Sequence, residues 1–319
     1  MGQSVANEAC VPVRRKETVF THVWKYRALY SMTVIPLVYF IVFKYLPMFG
    51  NILAFRRYRP GMGPWGTEWV GFTYFERFIN DESFWRAFRN TLITSFCNIL
   101  VNFPLPIFFA IVLNEARLKW FKKTVQTVSY MPRFISTVVV IAMLGELLSP
   151  SSGLLNRFLV SAFGIEPIYF VNLPQWFRPI YVFTDAWQYT GWTAIIYLAA
   201  ISNINADLYE AAEIDGASRL QKILHVTIPS IMPTIMVMLI LNVGRMLSLG
   251  FEKVLLLYTP NNSRVSDILD TLVYRTGIAG GVPNYSYATA IGLFSGIIGL
   301  ILVSSANFAS KKTTGESIY

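Results

Sequence analysis

Long apolar runs alternate with short polar segments along most of this chain, and six of the runs approach the roughly 20 residues a helix needs to cross a bilayer. They extend from about Leu29 to Phe49, Thr91 to Leu113, Val125 to Leu148, Pro179 to Ile204, Ile231 to Leu257 and Tyr287 to Phe308. The second contains Pro104 and Pro106, which predicts a kink, because proline removes a helical hydrogen bond. The third and fourth are less purely apolar, which suits helices that line a protein interior. The pattern divides the chain into a basic tail (1–28), a first span (29–49), a loop (50–90), a core of five spans (91–308) and a short tail (309–319). The expected fold class is an all-α integral membrane protein with six transmembrane helices.

Composition supports this. Only 14% of the 319 residues are charged and 54% are hydrophobic, whereas a soluble domain carries about 25% charged residues. That excludes a cytosolic globular enzyme and a disordered chain. The net charge of +9 reads as membrane topology rather than nucleic-acid binding. Arg14, Arg15, Lys16, Lys25 and Arg27 place the N-terminal tail in the cytoplasm. Six spans then put Lys311 and Lys312 inside too, along with the Arg117–Lys123 loop. The 50–90 loop is an exception, with Arg56, Arg57, Arg59, Arg77, Arg86 and Arg89 outside. No A-x-A site follows the first apolar run, so no cleaved signal is expected. Cys10 and Cys97 are not expected to pair, and with two histidines, His22 and His225, no metal cluster is expected.

The segment 205–230 is too polar to span and too helical in pattern for a simple connector. Asn205 caps a first helix, Gly216 interrupts it, and Ser218 with Gln221 forms a capping box for a second. Pro229 and Pro233 mark the start of the fifth span. Two short helices at an angle, on the cytoplasmic face, suit docking into a groove of a partner.

Glu210-Ala211-Ala212, three residues, Gly216, nine residues and Val226-x-Ile228-Pro229 resemble the EAA loop of type I ABC importer permeases, with Val226 and Ile228 replacing the family's Ile and Leu. Trp69–Phe78 and Phe84–Leu92 resemble the lead into the second span of sugar permeases, and Phe170–Ile180, Trp192–Ala200, Gly250–Lys253 and Asp270–Gly277 resemble their polysaccharide and oligosaccharide branch, so the similarity runs from about residue 30 to 310. The resemblance implies a maltose-permease-like fold in a bacterial cytoplasmic (inner) membrane. It implies a second homologous permease, two ABC ATPase copies that bind ATP and Mg²⁺, and an external or periplasmic solute-binding protein delivering saccharide. Glu210, Ala211, Ala212, Asp215, Gly216 and Pro229 then form the coupling element. This chain has no phosphate-binding G-x-x-x-x-G-K-[ST] loop and no grouping for hydrolysis, so it is expected to bind no cofactor and to be no enzyme.

Charges inside spans are costly and point to function. Lys44 lies near a span end and snorkels. Arg133 lies about a third of the way into the third span and Arg245 near the middle of the fifth. Two readings of Arg245 stand: it pairs with Glu146 or Asp185, or it faces the path with Arg133 and attracts an anionic substrate. The sugar-permease pattern has a small residue at this position, so Arg245 is a departure that points to an acidic saccharide such as a uronate oligomer. Trp187, Tyr189 and Trp192 could stack on sugar rings or simply pack, and Asn242 is a further polar path residue. Gly292-x-x-x-Gly296 reads as helix packing. The alternatives are a permease for a non-sugar solute and a membrane scaffold that recruits a cytoplasmic partner.

Overall fold

The computed structural model describes residues 24–61, 63 and 65–315. The tail residues Cys10, Arg14, Arg15, Lys16 and His22 lie outside them. The described residues are helical throughout, apart from loops and one isolated antiparallel bridge between Arg56 and Trp69.

The described residues divide into two units, one ending at Ile52 and the other starting at Leu53. The first unit holds α1 (Arg27–Phe40), which carries Pro36 and runs through a π-helical turn (Ile41–Tyr45). None of the α1 side chains is buried. With Tyr39, Phe40 and Leu37 about half exposed, this surface needs an apolar medium, as a membrane helix does.

The second unit begins with α2 (Thr73–Ile79) inside the expected loop, followed by α3 (Glu82–Asn102) and α4 (Pro104–Glu115). The second span therefore starts nine residues earlier than hydropathy placed it, because Asp81 caps α3 through the Ser83 amide at 2.8 Å. The predicted kink is a break at Phe103, ahead of Pro104.

The third span is not one helix. It is α5 (Lys119–Tyr130), a 3₁₀ turn (Met131–Phe134) and α6 (Thr137–Leu147), bent by 101°. Pro132 ends the α-helix and Ser136 caps the next. A short helix, α7 (Leu154–Phe163), leads to the 29-residue α8 (Pro174–Ser202), with Pro179 inside it. The polar segment folds as α9 (Ala206–Ile214) and α10 (Arg219–Lys222), which continues through a π-turn (Ile223–Thr227) to Ser230.

The fifth span also departs from expectation. Its helix, α11 (Met232–Gly244), is bent 61° from the preceding run and stops at Gly244. Residues 245–250 are non-helical, and α12 (Phe251–Leu257) is a separate piece. Next come α13 (Leu269–Tyr274) and α14 (Tyr285–Thr314), the sixth apolar run. By length and composition, three helices among the described residues qualify as spans, or five with each bent pair counted once. Those five leave out α8, the helix whose run was noted as less apolar.

Three apolar cores hold the second unit. Phe177, Ile180 and Tyr181 of α8 pack with Ile141 of α6 and Val254 and Leu257 of α12. Phe78, Phe84, Leu269, Leu272, Tyr287 and Ile291 tie α2, α3, α13 and α14 together. Ala110, Leu113, Ala194, Tyr197 and Ile231 join α4, α8 and the start of α11. Helix α8 contributes to two of these cores. At Gly191 an added Cβ would lie 2.2 Å from the Ser129 carbonyl oxygen, so α5 and α8 touch backbone to backbone there.

Candidate functional site

Three of the helix breaks, at Phe103, at residues 131–136 and at 245–250, meet at one cavity of about 520 Å³. Irregular backbone at membrane depth is tolerated where it is buried in protein or lines a cavity, since its freed polar groups need partners. Those partners are present. The Gln188 amide donates to the Ile135 carbonyl at 3.0 Å, and the Ser95 hydroxyl donates to the Met246 carbonyl. Beside the Phe103 break, the Asn102 side chain donates to Asn98 at 2.6 Å and to the Val182 carbonyl at 3.2 Å, which ties α3 to α8.

One face of α8 forms the wall: Tyr181, Asp185, Tyr189, Trp192 and Ile196 follow each other at three or four residues. Opposite them stand Asn242 and Arg245, with Arg133 in the 3₁₀ turn. Arg133 sits over the Tyr189 ring at 5.0 Å, a cation–π contact. Asn242 donates to the Met238 carbonyl at 2.8 Å, leaving its side-chain oxygen as an acceptor.

Five of the six path residues read from the sequence thus share one cavity. Trp187 does not. It lies between Asp185 and Tyr189 on α8, points away from them and lines a separate apolar groove with Val140, Phe183 and Trp176. Of the two readings of Arg245, the pairing with Glu146 or Asp185 is not the one the structure shows. The Ser152 hydroxyl donates to Glu146 at 2.7 Å, and Asp185 is bonded to Lys253 of α12. Among the described residues Arg133 and Arg245 enter no ion pair. Arg245 is the first residue beyond α11, at a helix end rather than mid-span, and is exposed to the cavity. Sequence reading missed Lys253 as the partner of Asp185. The signal was the Gly250–Lys253 segment, a fresh helix start that a continuous fifth span concealed.

The second site is the hairpin 205–230. The Asn205 side chain accepts from the Asp207 amide at 3.1 Å, capping α9. Gly216 has φ +75°, a left-handed conformation that L residues resist. It closes α9 with two hydrogen bonds, Gly216 N–H to the Glu213 carbonyl (3.0 Å) and Ala217 N–H to the Ala212 carbonyl (2.9 Å). Ser218 and Gln221 form the capping box of α10. Lys222 bonds Glu213 at 2.5 Å across the turn, and its ammonium holds that carboxyl below the usual range. Tyr209 and Thr227 join the two arms, hydroxyl to hydroxyl, at 2.9 Å. Glu210, Ala211 and Asp215 are exposed, Ala212 is half-buried, and Ile214 is 88% exposed. Pro229 is exposed at the end of the second arm, just before the bend at Ile231. Among the described residues no group of three or more His, Cys, Asp or Glu side chains could hold a metal ion.

Residues 102–314 match the family described as binding-protein-dependent transport system inner membrane component. The chain belongs to that family. The matched region of this inner membrane component holds α8, the hairpin and both cavity arginines. The polygalacturonan/rhamnogalacturonan transport system permease protein YteP of Bacillus subtilis (strain 168) is 45% identical over 291 residues, covering 91% of this chain and 90% of its own. Protein LplB of the same strain is 42% identical over 91% of each chain. Among solved structures, a bacterial ABC transporter involved in the import of the acidic polysaccharide alginate has a TM-score of 0.85 at 40% identity, covering 93% of this chain and 100% of its own. The bacterial alginate ABC transporter in complex with an alginate pentasaccharide-bound periplasmic protein has a TM-score of 0.86 at 38% identity, covering 95% and 100%. The family expected from the EAA pattern is therefore the one found, and the inner membrane component is a permease-type subunit with several apolar helices.

Proposed function

We propose that this chain is one permease of an ATP-driven importer for acidic oligosaccharides, lining the path with its α8 cavity. The observation that carries the reading is the pair Arg133 and Arg245, two guanidinium groups facing one cavity with no carboxylate partner among the described residues. Guanidinium forks bind carboxylates with two parallel hydrogen bonds, and Tyr189 and Trp192 offer ring faces for sugar C–H surfaces. The relatives' substrates, polygalacturonan and alginate, are polymers of acidic sugars.

In this reading a second, similar permease forms the other half of the path, and six spans leave both termini in the cytoplasm. An external binding protein delivers the saccharide. Two ATPase subunits bind ATP and Mg²⁺, and one of them seats the hairpin through Glu210, Ala211, Ala212, Asp215 and Gly216, with Pro229 setting the exit of the second arm. ATP-driven closure moves the hairpins and tilts the bundle between inward-open and outward-open states. Because α10 runs through a bend straight into α11, hairpin motion reaches Asn242 and Arg245 along one backbone.

The test is uptake by the reconstituted assembly of a uronate oligomer and a neutral oligomer of equal length. Arg245→Glu is expected to abolish uronate uptake while the complex still copurifies with its ATPase. Unchanged uronate kinetics in that variant would dispose of the reading.

A further inference from the structure

Among the described residues, Lys253 is the most deeply buried cation, with 4% of its side chain exposed, and the transport reading has not used its surroundings. It reaches from α12, beyond the break in the fifth span, to the Asp185 carboxylate on α8. It lies over two tyrosine rings at once, 5.4 Å from the centroid of Tyr181 and 5.4 Å from that of Tyr189. Asp185, Tyr181 and Tyr189 line the cavity, whereas Lys253 does not. Asp185 is also the sole acidic residue among the described residues that line it, in a cavity that Arg133 and Arg245 line too.

An unneutralised carboxylate there would repel an acidic sugar and offer both arginines an internal partner. Each of the arginines would then be lost to substrate. Lys253 prevents this from behind the wall, because in a water-poor site an opposite charge in contact fixes the carboxylate electrostatically. We infer that Lys253 is a specificity-determining positioning residue: by occupying Asp185 it keeps Arg133 and Arg245 available for the carboxylates of the saccharide. The inference rests on the reading that the cavity carries the saccharide. It gives the helix after the break a task that packing alone does not require, since Val254 and Leu257 already seat α12 in its apolar core.

The experiment measures the ratio of uronate to neutral oligomer uptake in the reconstituted importer, for four proteins besides the wild type. Lys253→Met exposes the carboxylate and is expected to lower the ratio by about tenfold or more, because like charges in a shared site repel strongly. Lys253→Arg keeps the charge and the ratio. The double variant Lys253→Met/Asp185→Asn removes both charges and is expected to restore the ratio. Asp185→Asn alone adds an uncommitted cation and raises it. A merely structural tether predicts something else: uptake of both sugars falls together, and the double variant is no better than Lys253→Met. That outcome, or an unchanged ratio in Lys253→Met, overturns the inference. If the wild type moves only the neutral oligomer, the acidic-saccharide reading falls by itself. The pair is then judged on Asp185→Asn, which must open uronate uptake that the wild type lacks, and failure there overturns it.

Discussion

The hairpin and the cavity are built in opposite ways. Each hydrogen bond that shapes the hairpin joins residues no more than 18 positions apart: Asn205 with Asp207, Glu213 with Gly216 and Lys222, Ser218 with Gln221, Tyr209 with Thr227. The cavity is held by contacts across far longer separations: Ser95 with Met246, Gln188 with Ile135, Asp185 with Lys253. The hairpin is thus close to a self-contained object that presents side chains outward. The cavity exists only when four parts of the chain have converged. In the proposed reading the hairpin is a coupling element that must fit a separate protein, and local hydrogen bonding serves that fit. A path that must open and close benefits from breaks, which let helix segments shift against one another.

Substitutions that wedge or strain each region test this contrast. The largest effect is expected from Gly191→Leu, on the non-local side. An added Cβ already lies 2.2 Å from the Ser129 carbonyl oxygen, so a leucine must push α5 off α8 and carry the Arg133 turn with it. Overpacking typically costs about 1–3 kcal/mol, and here it also displaces the cavity wall. Uptake should be lost, with a lowered Tm of the purified complex. Wild-type transport in this variant would show that the cavity tolerates rearrangement, and the contrast would weaken.

A middle effect is expected from Gly216→Val. Nothing lies within 4 Å of the added Cβ, so the cost is conformational alone, about 1–2 kcal/mol for a left-handed L residue. The hairpin turn distorts while the cavity stays intact. Saccharide-stimulated ATP hydrolysis should fall, whereas saccharide binding to the detergent-solubilised chain should not. Loss of both together would mean that the two regions are not separable. The smallest effect is expected from Ser218→Ala, which removes one half of the capping box and costs about 1 kcal/mol. A modest rise in hydrogen exchange confined to α10 would sharpen the claim of local assembly. A spread of that change into α8 would argue against it.

How much of this was legible follows from the same contrast. The hairpin caps were readable because a cap needs a Ser or Asn at one position and its amide two or three residues on. The EAA spacing added the family, and the apolar runs added the membrane. The cavity was readable only in its parts. Arg133, Tyr189, Trp192, Asn242 and Arg245 stood out as costly or amphipathic residues within apolar runs, yet nothing in the string placed them together. Trp187 was misgrouped because proximity along a helix is not proximity in space: two residues rotate a side chain by roughly 200° at 3.6 residues per turn.

What the sequence by itself determined, then, is that this chain lives in a membrane, belongs among importer permeases and carries a locally capped polar hairpin. Only the tertiary structure decided where the third and fifth runs break, that Lys253 rather than Arg245 takes Asp185, and that two arginines are left facing one cavity. The physical reason is that hydropathy sums the cost of a side chain over a window and is blind to direction. A charge in an apolar run becomes affordable through a partner far away in the chain, and only packing names that partner.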